Sequence, residues 1–184
     1  KKKKKRSIAE IYIAMRRCPQ PIISLINGAA CGGGFSLALA SDIRVADTSA
    51  KMNCAYIRIG LGGCDMGSSY FLPRLVGASL AAELILTGKF INAQRSLAVG
   101  LVSQVVEPGQ LEAAIQEDLE LMLTNSPLGL RLSKEALNIN IDIGSLEAAI
   151  AVEDRNQILC SQTVDAREGM AAFAERRVPN YRDA

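Results

Sequence analysis

The residues with the clearest chemical potential form a glycine-rich turn between two apolar segments. The sequence Asn27-Gly28-Ala29-Ala30-Cys31-Gly32-Gly33-Gly34 follows a β-branched run that predicts a buried strand and precedes apolar residues that predict a helix. Glycines let the backbone approach a ligand closely, and the first N–H groups of a helix attract negative charge. We therefore expect a site for a phosphate or a developing oxyanion, although tight packing of the strand on the helix would also require these glycines.

Other common kinds of site are excluded by what the sequence lacks. No Gly-Lys-Ser/Thr follows the turn, as a Walker loop requires, and the GxGxxG pattern of dinucleotide folds is missing. The absence of histidine excludes Ser-His-Asp triads, Cys-His dyads and zinc sites with histidine ligands. The five cysteines form no CxxC pair and lie on apolar segments, so we expect buried, reduced thiols and no metal site.

The elements that must position the turn divide the chain into two parts. Up to Pro108, strands and helices alternate, which is typical of an α/β core. The predicted helices are 7–17, 35–41, 71–76, 79–86 and 92–99, and the predicted strands are 21–28, 42–46, 51–59 and 101–106. Residues 109–184 show only helical periodicity, and Asp165 is a plausible N-cap of the last helix. The basic segment 1–6 is expected to be a disordered or tag-like end.

Composition indicates which partners are expected. The chain has 184 residues, of which 49% are hydrophobic, and 21 basic against 19 acidic residues. Six of the basic residues are in segment 1–6, so the remainder is acidic and lacks the positive face that nucleic-acid binding needs. The uncharged stretch 18–41 is interrupted by prolines and glycines, so a membrane span is not expected. No secretory signal is visible, and we expect a cytoplasmic protein, with an organellar matrix as the alternative.

Several ordered motifs resemble those of one known family. They are PQPIISLINGAACGGG at 19–34, ASDIRVA at 40–46, LPRLVG at 72–77, LTGK at 86–89, AVGLVS at 98–103 and REGMAAFAERR at 167–177. Together they resemble the signatures of the enoyl-CoA hydratase/isomerase (crotonase) family, in the family's order. The resemblance implies an acyl-CoA thioester as the ligand.

The resemblance also implies a fold and an assembly. Residues 7–108 would form part of a ββα spiral core, and residues 109–184 a helical region that packs into trimers or into hexamers of two trimers. Family members hold the thioester oxygen with two backbone N–H groups, so that an enolate forms without a metal or a redox cofactor. By its place in the motif, Gly33 would supply one N–H. The other comes from an earlier loop, and we expect that loop and the N-terminal part of the spiral to be absent from this chain.

Three side chains then become candidate catalytic groups. The family's hydratases use two glutamates, and Ser36 and Tyr56 occupy those positions here. Serine cannot act as a carboxylate base, and tyrosine, with a pKa near 10, would need strong activation to act as a base. Asp65 lies near the place where several isomerases of the family hold an aspartate, although capping of the following helix is an equal alternative.

The remaining assignments concern substrate binding. From the resemblance, five residues near the glycine-rich turn and the Asp65 loop are expected to bind the substrate, and they are Ala30, Cys31, Gly32, Ala55 and Cys64. Arg176 and Arg177 would face the CoA phosphates, with a solvated helix end as the alternative. Cys31 and Cys64 are interpreted as packing residues, not nucleophiles. The leading hypothesis is double-bond isomerisation or hydration of an enoyl-CoA, and the alternative is a non-catalytic acyl-CoA-binding or assembly subunit.

Overall fold

The computed structural model of the protein describes the backbone of residues 2–183 and the side chains of residues 7–183. The chain forms two compact units. The first contains the residues up to Arg17 and Ile22–Ile115, and the second contains Cys18–Pro21 and the residues from Gln116 onwards. The side chains of segment 1–6 lie outside the described residues. Helix α1, however, begins at Lys2.

Within the described residues, the first unit contains two small sheets and six α-helices, of which all but α1 are at most 10 residues long. Its helices are α1 (Lys2–Arg17), α2 (Gly33–Ala40), α3 (Ser68–Val76), α4 (Ala78–Thr87), α5 (Ala93–Ala98) and α6 (Leu111–Ala114). Its strands are β1 (Ile23–Ile26), β2 (Ala29–Cys31), β3 (Ile43–Asp47), β4 (Lys51–Asn53), β5 (Ile91–Asn92) and β6 (Gln104–Val106). The alternation of strands and helices confirms the predicted α/β core.

Three of the four strand pairs in these two sheets are parallel. One has the strand order β1-β3-β6, in which both pairs are parallel. The other has the order β2-β4-β5, with β2 parallel and β5 antiparallel to β4. Large apolar side chains fill the core between these elements, including Phe35, Leu39, Met52, Leu72, Leu84 and Leu101, each at most 2% exposed. Because α2 contributes Phe35 and Leu39, burial in this core fixes the helix that follows the glycine-rich turn.

One local prediction in this unit was wrong, and one strand was missed. The predicted strand 51–59 ends at Asn53 and continues as a 3₁₀ turn over Ala55–Ile59. The short strand β2 was not predicted, because Ala29–Cys31 lies inside the glycine-rich segment and has no β-branched residue. Pairing with β4 extends it, since the Gly32 N–H donates to the Asn53 carbonyl at 3.0 Å. This pairing brings the 3₁₀ turn next to the start of α2.

The second unit is helical, as predicted. Its helices are α7 (Gln116–Leu123), α8 (Pro127–Asn140), α9 (Leu146–Ser161) and α10 (Val164–Glu175). The N-cap of α10 is Thr163, whose hydroxyl accepts the Ala166 N–H, so the prediction that Asp165 caps this helix was wrong. The buried Asp165 carboxylate instead accepts the N–H groups of Arg182 and Asp183 at 2.8 and 2.9 Å. These bonds compensate the burial of its charge.

Candidate active site

The first component of the site is the N-terminus of α2. Gly32 precedes the helix with φ of 54°, a left-handed value that favours glycine, and its carbonyl accepts the first helical bond from Ser36 at 2.9 Å. Gly33 is the first residue of the helix, so its N–H has no acceptor within the helix. A backbone donor with this orientation is suited to a carbonyl oxygen that gains negative charge.

Ser36 and Tyr56 face each other within hydrogen-bond distance. The Ser36 Oγ lies 3.3 Å from the Tyr56 hydroxyl, and either atom can donate. Ser36 is 1% and Tyr56 8% exposed. The 3₁₀ turn beside β4 directs Tyr56 toward α2, where a Cβ at Gly32 would lie 3.3 Å from the Tyr56 ring. The structure therefore brings together two residues that are twenty positions apart in the sequence.

Asp65 lies on the loop between the 3₁₀ turn and α3, close to the same pair. The Ser36 Oγ lies 3.5 Å from the Asp65 carbonyl oxygen. The Asp65 carboxylate accepts the Met66 N–H at 2.9 Å, and its backbone N–H donates to the Ser68 Oγ at 3.2 Å. The N-cap position of α3 is Gly67, so Asp65 is not the N-cap residue of this helix.

Tyr12 of α1 belongs to the same cluster and was not predicted as a site residue. Its hydroxyl lies 3.0 Å from Met66 Sδ and 3.2 Å from the Gly33 carbonyl oxygen. The Tyr56 hydroxyl lies 3.5 Å from the same sulfur. A signal was present in the sequence, because Tyr12 is on the apolar side of a predicted amphipathic helix, where a buried tyrosine hydroxyl needs a partner.

Burial and charge keep both phenols protonated. The pKa of Tyr56 is raised by burial and by the negative charge of Asp65, although its hydrogen bond to Ser36 opposes the shift. The pKa of Tyr12 is raised by burial and by the charge of Asp65. Both hydroxyls therefore serve as hydrogen-bond donors near neutral pH, not as bases.

The residues predicted to bind substrate are divided between the two units. Five of them lie in the first unit, on β2, at the N-cap of α2, on the 3₁₀ turn and on the Asp65 loop, and they are Ala30, Cys31, Gly32, Ala55 and Cys64. The expectation that the cysteines are buried was wrong for several of them. Only Cys54 is buried, whereas Cys31, the last residue of β2, and Cys64, on the Asp65 loop, are exposed. All five cysteines are free thiols.

Arg176 and Arg177 lie in the second unit, directly after α10. Arg176 is the C-cap residue, in a left-handed conformation with φ of 55°. Arg177 pairs with Glu175 at 2.6 Å and with Glu168. Both side chains are exposed, and their assignment to the CoA phosphates stays a prediction.

Two further features of the described residues concern the kind of protein. No group of three or more cysteine, aspartate or glutamate residues within the described range could hold a metal ion. Across the same range, no helix has both the length and the apolar character needed to cross a membrane.

Comparison with curated proteins gives relatives over almost the whole chain. A probable enoyl-CoA hydratase of Mycobacterium tuberculosis is 40% identical over 175 residues, which are 95% of this chain and 61% of that protein. The mitochondrial methylglutaconyl-CoA hydratase of Mus musculus is 39% identical over 170 residues, 89% of this chain and 53% of that enzyme. The chain thus spans between half and two thirds of the length of these relatives.

Solved structures confirm the expected fold. The crystal structure of a probable enoyl-CoA hydratase/isomerase from Mycobacterium abscessus matches 97% of this chain and 68% of its own, with a TM-score of 0.90 and 36% identity. The chain therefore has the crotonase-like α/β fold, with helices in its C-terminal part. A model of the family described as enoyl-CoA hydratase/isomerase matches residues 1–184. The chain belongs to the enoyl-CoA hydratase/isomerase family.

Proposed function

We propose that this protein binds an acyl-CoA thioester and stabilises its enolate, with double-bond isomerisation or hydration of an enoyl-CoA as the reaction. The observation that carries the proposal is the cluster at the start of α2. There, the Gly33 N–H without a helical acceptor, the Ser36–Tyr56 pair and the Asp65 loop come together. Membership of the family and the names of the relatives support the same substrate class.

The oxyanion step depends on the backbone of α2. The Gly33 N–H would donate to the thioester oxygen, and its strength as a donor would rise as negative charge develops on that oxygen. The hydrogen bonds of the α2 start and the buried Phe35 hold the donor in place before substrate arrives. Such preorganisation lowers the barrier to removal of the α-proton.

The proton transfer is assigned to Asp65, because it brings a carboxylate into this cluster, on a loop whose Asp65 carbonyl oxygen lies 3.5 Å from Ser36 Oγ. For isomerisation, one base is sufficient: the carboxylate takes a proton from one carbon, the enolate forms, and the same proton returns to another carbon. Hydration would also need a group to activate water. Ser36 and the protonated Tyr56 can hold a water molecule but cannot deprotonate it, so the cluster favours isomerisation over two-carboxylate hydration.

A non-catalytic acyl-CoA-binding subunit is the second candidate function. The observation that favours it is the replacement of both family glutamates by neutral hydroxyl groups. In that case, the α2 N-terminus would still bind the thioester, but Asp65 would not exchange protons with it.

Partners and location follow from the same proposal. Arg176 and Arg177 are proposed to face the CoA phosphates, although the Arg177 guanidinium is paired with two glutamates that would compete with a phosphate. A homotrimer or a hexamer would cover exposed apolar side chains of the second unit, such as Leu137 and Phe173, which are 72% and 88% exposed. No further cofactor is proposed. A cytoplasmic location or an organellar matrix would keep the five cysteines reduced.

Proton exchange in deuterated buffer tests the proposal directly. The protein is incubated with butyryl-CoA or crotonyl-CoA in D₂O, the loss of carbon-bound protons is followed by NMR, and binding is measured separately by calorimetry. Exchange above the protein-free rate supports enolate chemistry. Binding without exchange would instead favour the non-catalytic subunit, and absence of both would refute the proposed ligand class.

A further inference from the structure

We infer that Tyr12 is a positioning residue of the proposed site, holding the Asp65–Met66 segment of the loop against the start of α2. The inference rests on the proposed function, which it deepens, and it concerns a residue of helix α1 outside the family motifs. Three observations carry it: the contacts of the Tyr12 hydroxyl, the backbone of Met66, and the packing around Gly33.

The Tyr12 hydroxyl joins two parts of the site. Tyr12 is 6% exposed, and its hydroxyl lies 3.0 Å from Met66 Sδ and 3.2 Å from the Gly33 carbonyl oxygen. Because a phenol has one proton, it donates to one acceptor at a time while remaining in contact with the other. Tyr12 therefore connects the residue after Asp65 with the residue that presents the backbone donor.

Met66 has a backbone that needs such support. Its φ is 50°, in the left-handed region that residues with a side chain rarely adopt. Its N–H donates to the Asp65 carboxylate at 2.9 Å, so the orientation of this peptide affects the position of the carboxylate. Its sulfur lies between two phenols, with the Tyr12 hydroxyl at 3.0 Å and the Tyr56 hydroxyl at 3.5 Å. The two hydroxyls thus fix the side chain whose backbone orients Asp65.

Met66 and Tyr12 leave little space beside Gly33. A Cβ placed on Gly33 would lie 3.2 Å from Met66 Sδ and 3.3 Å from the Tyr12 hydroxyl. Met66 and Tyr12 therefore both line the space beside the α-carbon of the proposed oxyanion donor. Burial and the charge of Asp65 both raise the pKa of Tyr12, which agrees with a protonated phenol close to the carboxylate.

The test removes the Tyr12 hydroxyl and the Met66 sulfur, first separately and then together. Tyr12→Phe keeps the ring and removes the hydroxyl, Met66→Leu removes the sulfur, and Tyr70→Phe on α3 is the matched control. The rate of deuterium exchange into butyryl-CoA is measured for each variant, together with KM and thermal unfolding. We expect Tyr12→Phe to lower kcat by about 10-fold with little change in KM, and Tyr70→Phe to keep the wild-type values.

The double variant distinguishes positioning from general destabilisation. If Tyr12 acts through Met66, the losses in kcat will not add, and Tyr12→Phe with Met66→Leu will be about as slow as the slower single variant. Additive losses, or a kcat for Tyr12→Phe equal to that of the wild type, would overturn the inference. A loss that follows only a lower unfolding temperature, and is restored by assaying at a lower temperature, would overturn it too.

A second readout separates this inference from the proposed function. The methyl group of Met66 is observed by ¹³C NMR and assigned through Met66→Leu. We expect its resonance to shift on addition of butyryl-CoA and in the Tyr12→Phe variant. A wild-type protein that binds butyryl-CoA without exchanging protons would refute the catalytic proposal alone. An unchanged Met66 resonance in Tyr12→Phe would refute the inference, whatever the activity.

Discussion

The Ser36 Oγ lies 3.3 Å from the Tyr56 hydroxyl, and both residues are buried in the first unit beside the N-terminus of α2. Two carboxylates this close would repel each other, and one would be protonated at neutral pH. Two hydroxyls instead form a neutral pair, in which burial raises the pKa of Tyr56 further. Asp65 is therefore the candidate base of this cluster, and the following prediction tests it.

Asp65→Asn should abolish proton exchange while leaving acyl-CoA binding intact. The amide keeps the size of the side chain and an oxygen that can accept the Met66 N–H, but it cannot take a proton from carbon. Loss of a general base lowers rates by about 10²- to 10⁴-fold. Deuterium exchange and calorimetric binding are measured on the same preparation. Asp154→Asn, an exposed position on α9, is the control, and unchanged exchange in Asp65→Asn would remove Asp65 from the mechanism.

Gly33→Ala should slow proton exchange, whereas Gly34→Ala, at the adjacent position, should raise the stability of the protein. At Gly33, the added Cβ would lie 3.2 Å from Met66 Sδ and 3.3 Å from the Tyr12 hydroxyl, so these side chains must give way by a few tenths of an ångström, and we expect about 10-fold slower exchange. At Gly34, nothing lies within 4 Å of the added Cβ, and alanine in a helix should raise stability by about 0.5 kcal/mol. Exchange rates and the free energy of unfolding in urea are measured for both variants, and equally slow exchange in the two would contradict the geometry.

Strand β1 and helix α2 could be predicted from sequence, because the residue patterns that specify them lie within these elements. The β-branched run before Asn27 predicted β1, and the apolar residues after Gly34 predicted α2. Strand β2 could not be predicted, because its stability comes from pairing with β4 more than twenty residues away. Thr163 and Asp165 are both good N-cap residues, and the sequence does not reveal that Asp165 binds the N–H groups of Arg182 and Asp183.

The candidate site was predicted in part, and its remainder depends on tertiary contacts. Gly33, Ser36, Tyr56 and Asp65 were identified through the family resemblance, and the structure brings all four together around α2. Tyr12 was missed because it lies 21 residues before Gly33, on a helix with no motif. Its contact with Met66, 54 residues further along the chain, arises only when α1 packs against α2.

Arg44→Lys should destabilise the first unit strongly. The Arg44 guanidinium is buried and donates to the carbonyl groups of Leu101 at 2.9 Å and Ser41 at 2.7 Å, with longer bonds to Ala38 and Asp42. A lysine cannot reach these acceptors together, because its three donors radiate from one nitrogen atom. We expect the free energy of unfolding to fall by about 2–4 kcal/mol.

The control for Arg44→Lys is Arg58→Lys at an exposed position of the same unit, for which a change within about 0.5 kcal/mol is expected. Both values come from urea unfolding followed by circular dichroism. If the two variants lost similar stability, the carbonyl contacts of Arg44 would contribute little to the fold.

Cys54 should make the stability of the first unit fall in mildly alkaline solution. Burial, with a smaller effect of Cys64, raises the pKa of the Cys54 thiol from 9.0 to about 11. Between these values the unfolded chain loses this proton while the folded chain keeps it, so the free energy of unfolding falls as pH rises from 9.0 to about 11. The loss should reach roughly 2 kcal/mol. Cys54→Ala will be less stable at pH 8 but should lose less stability over this range, and a slope equal to that of the wild type would show that another group causes the alkaline loss.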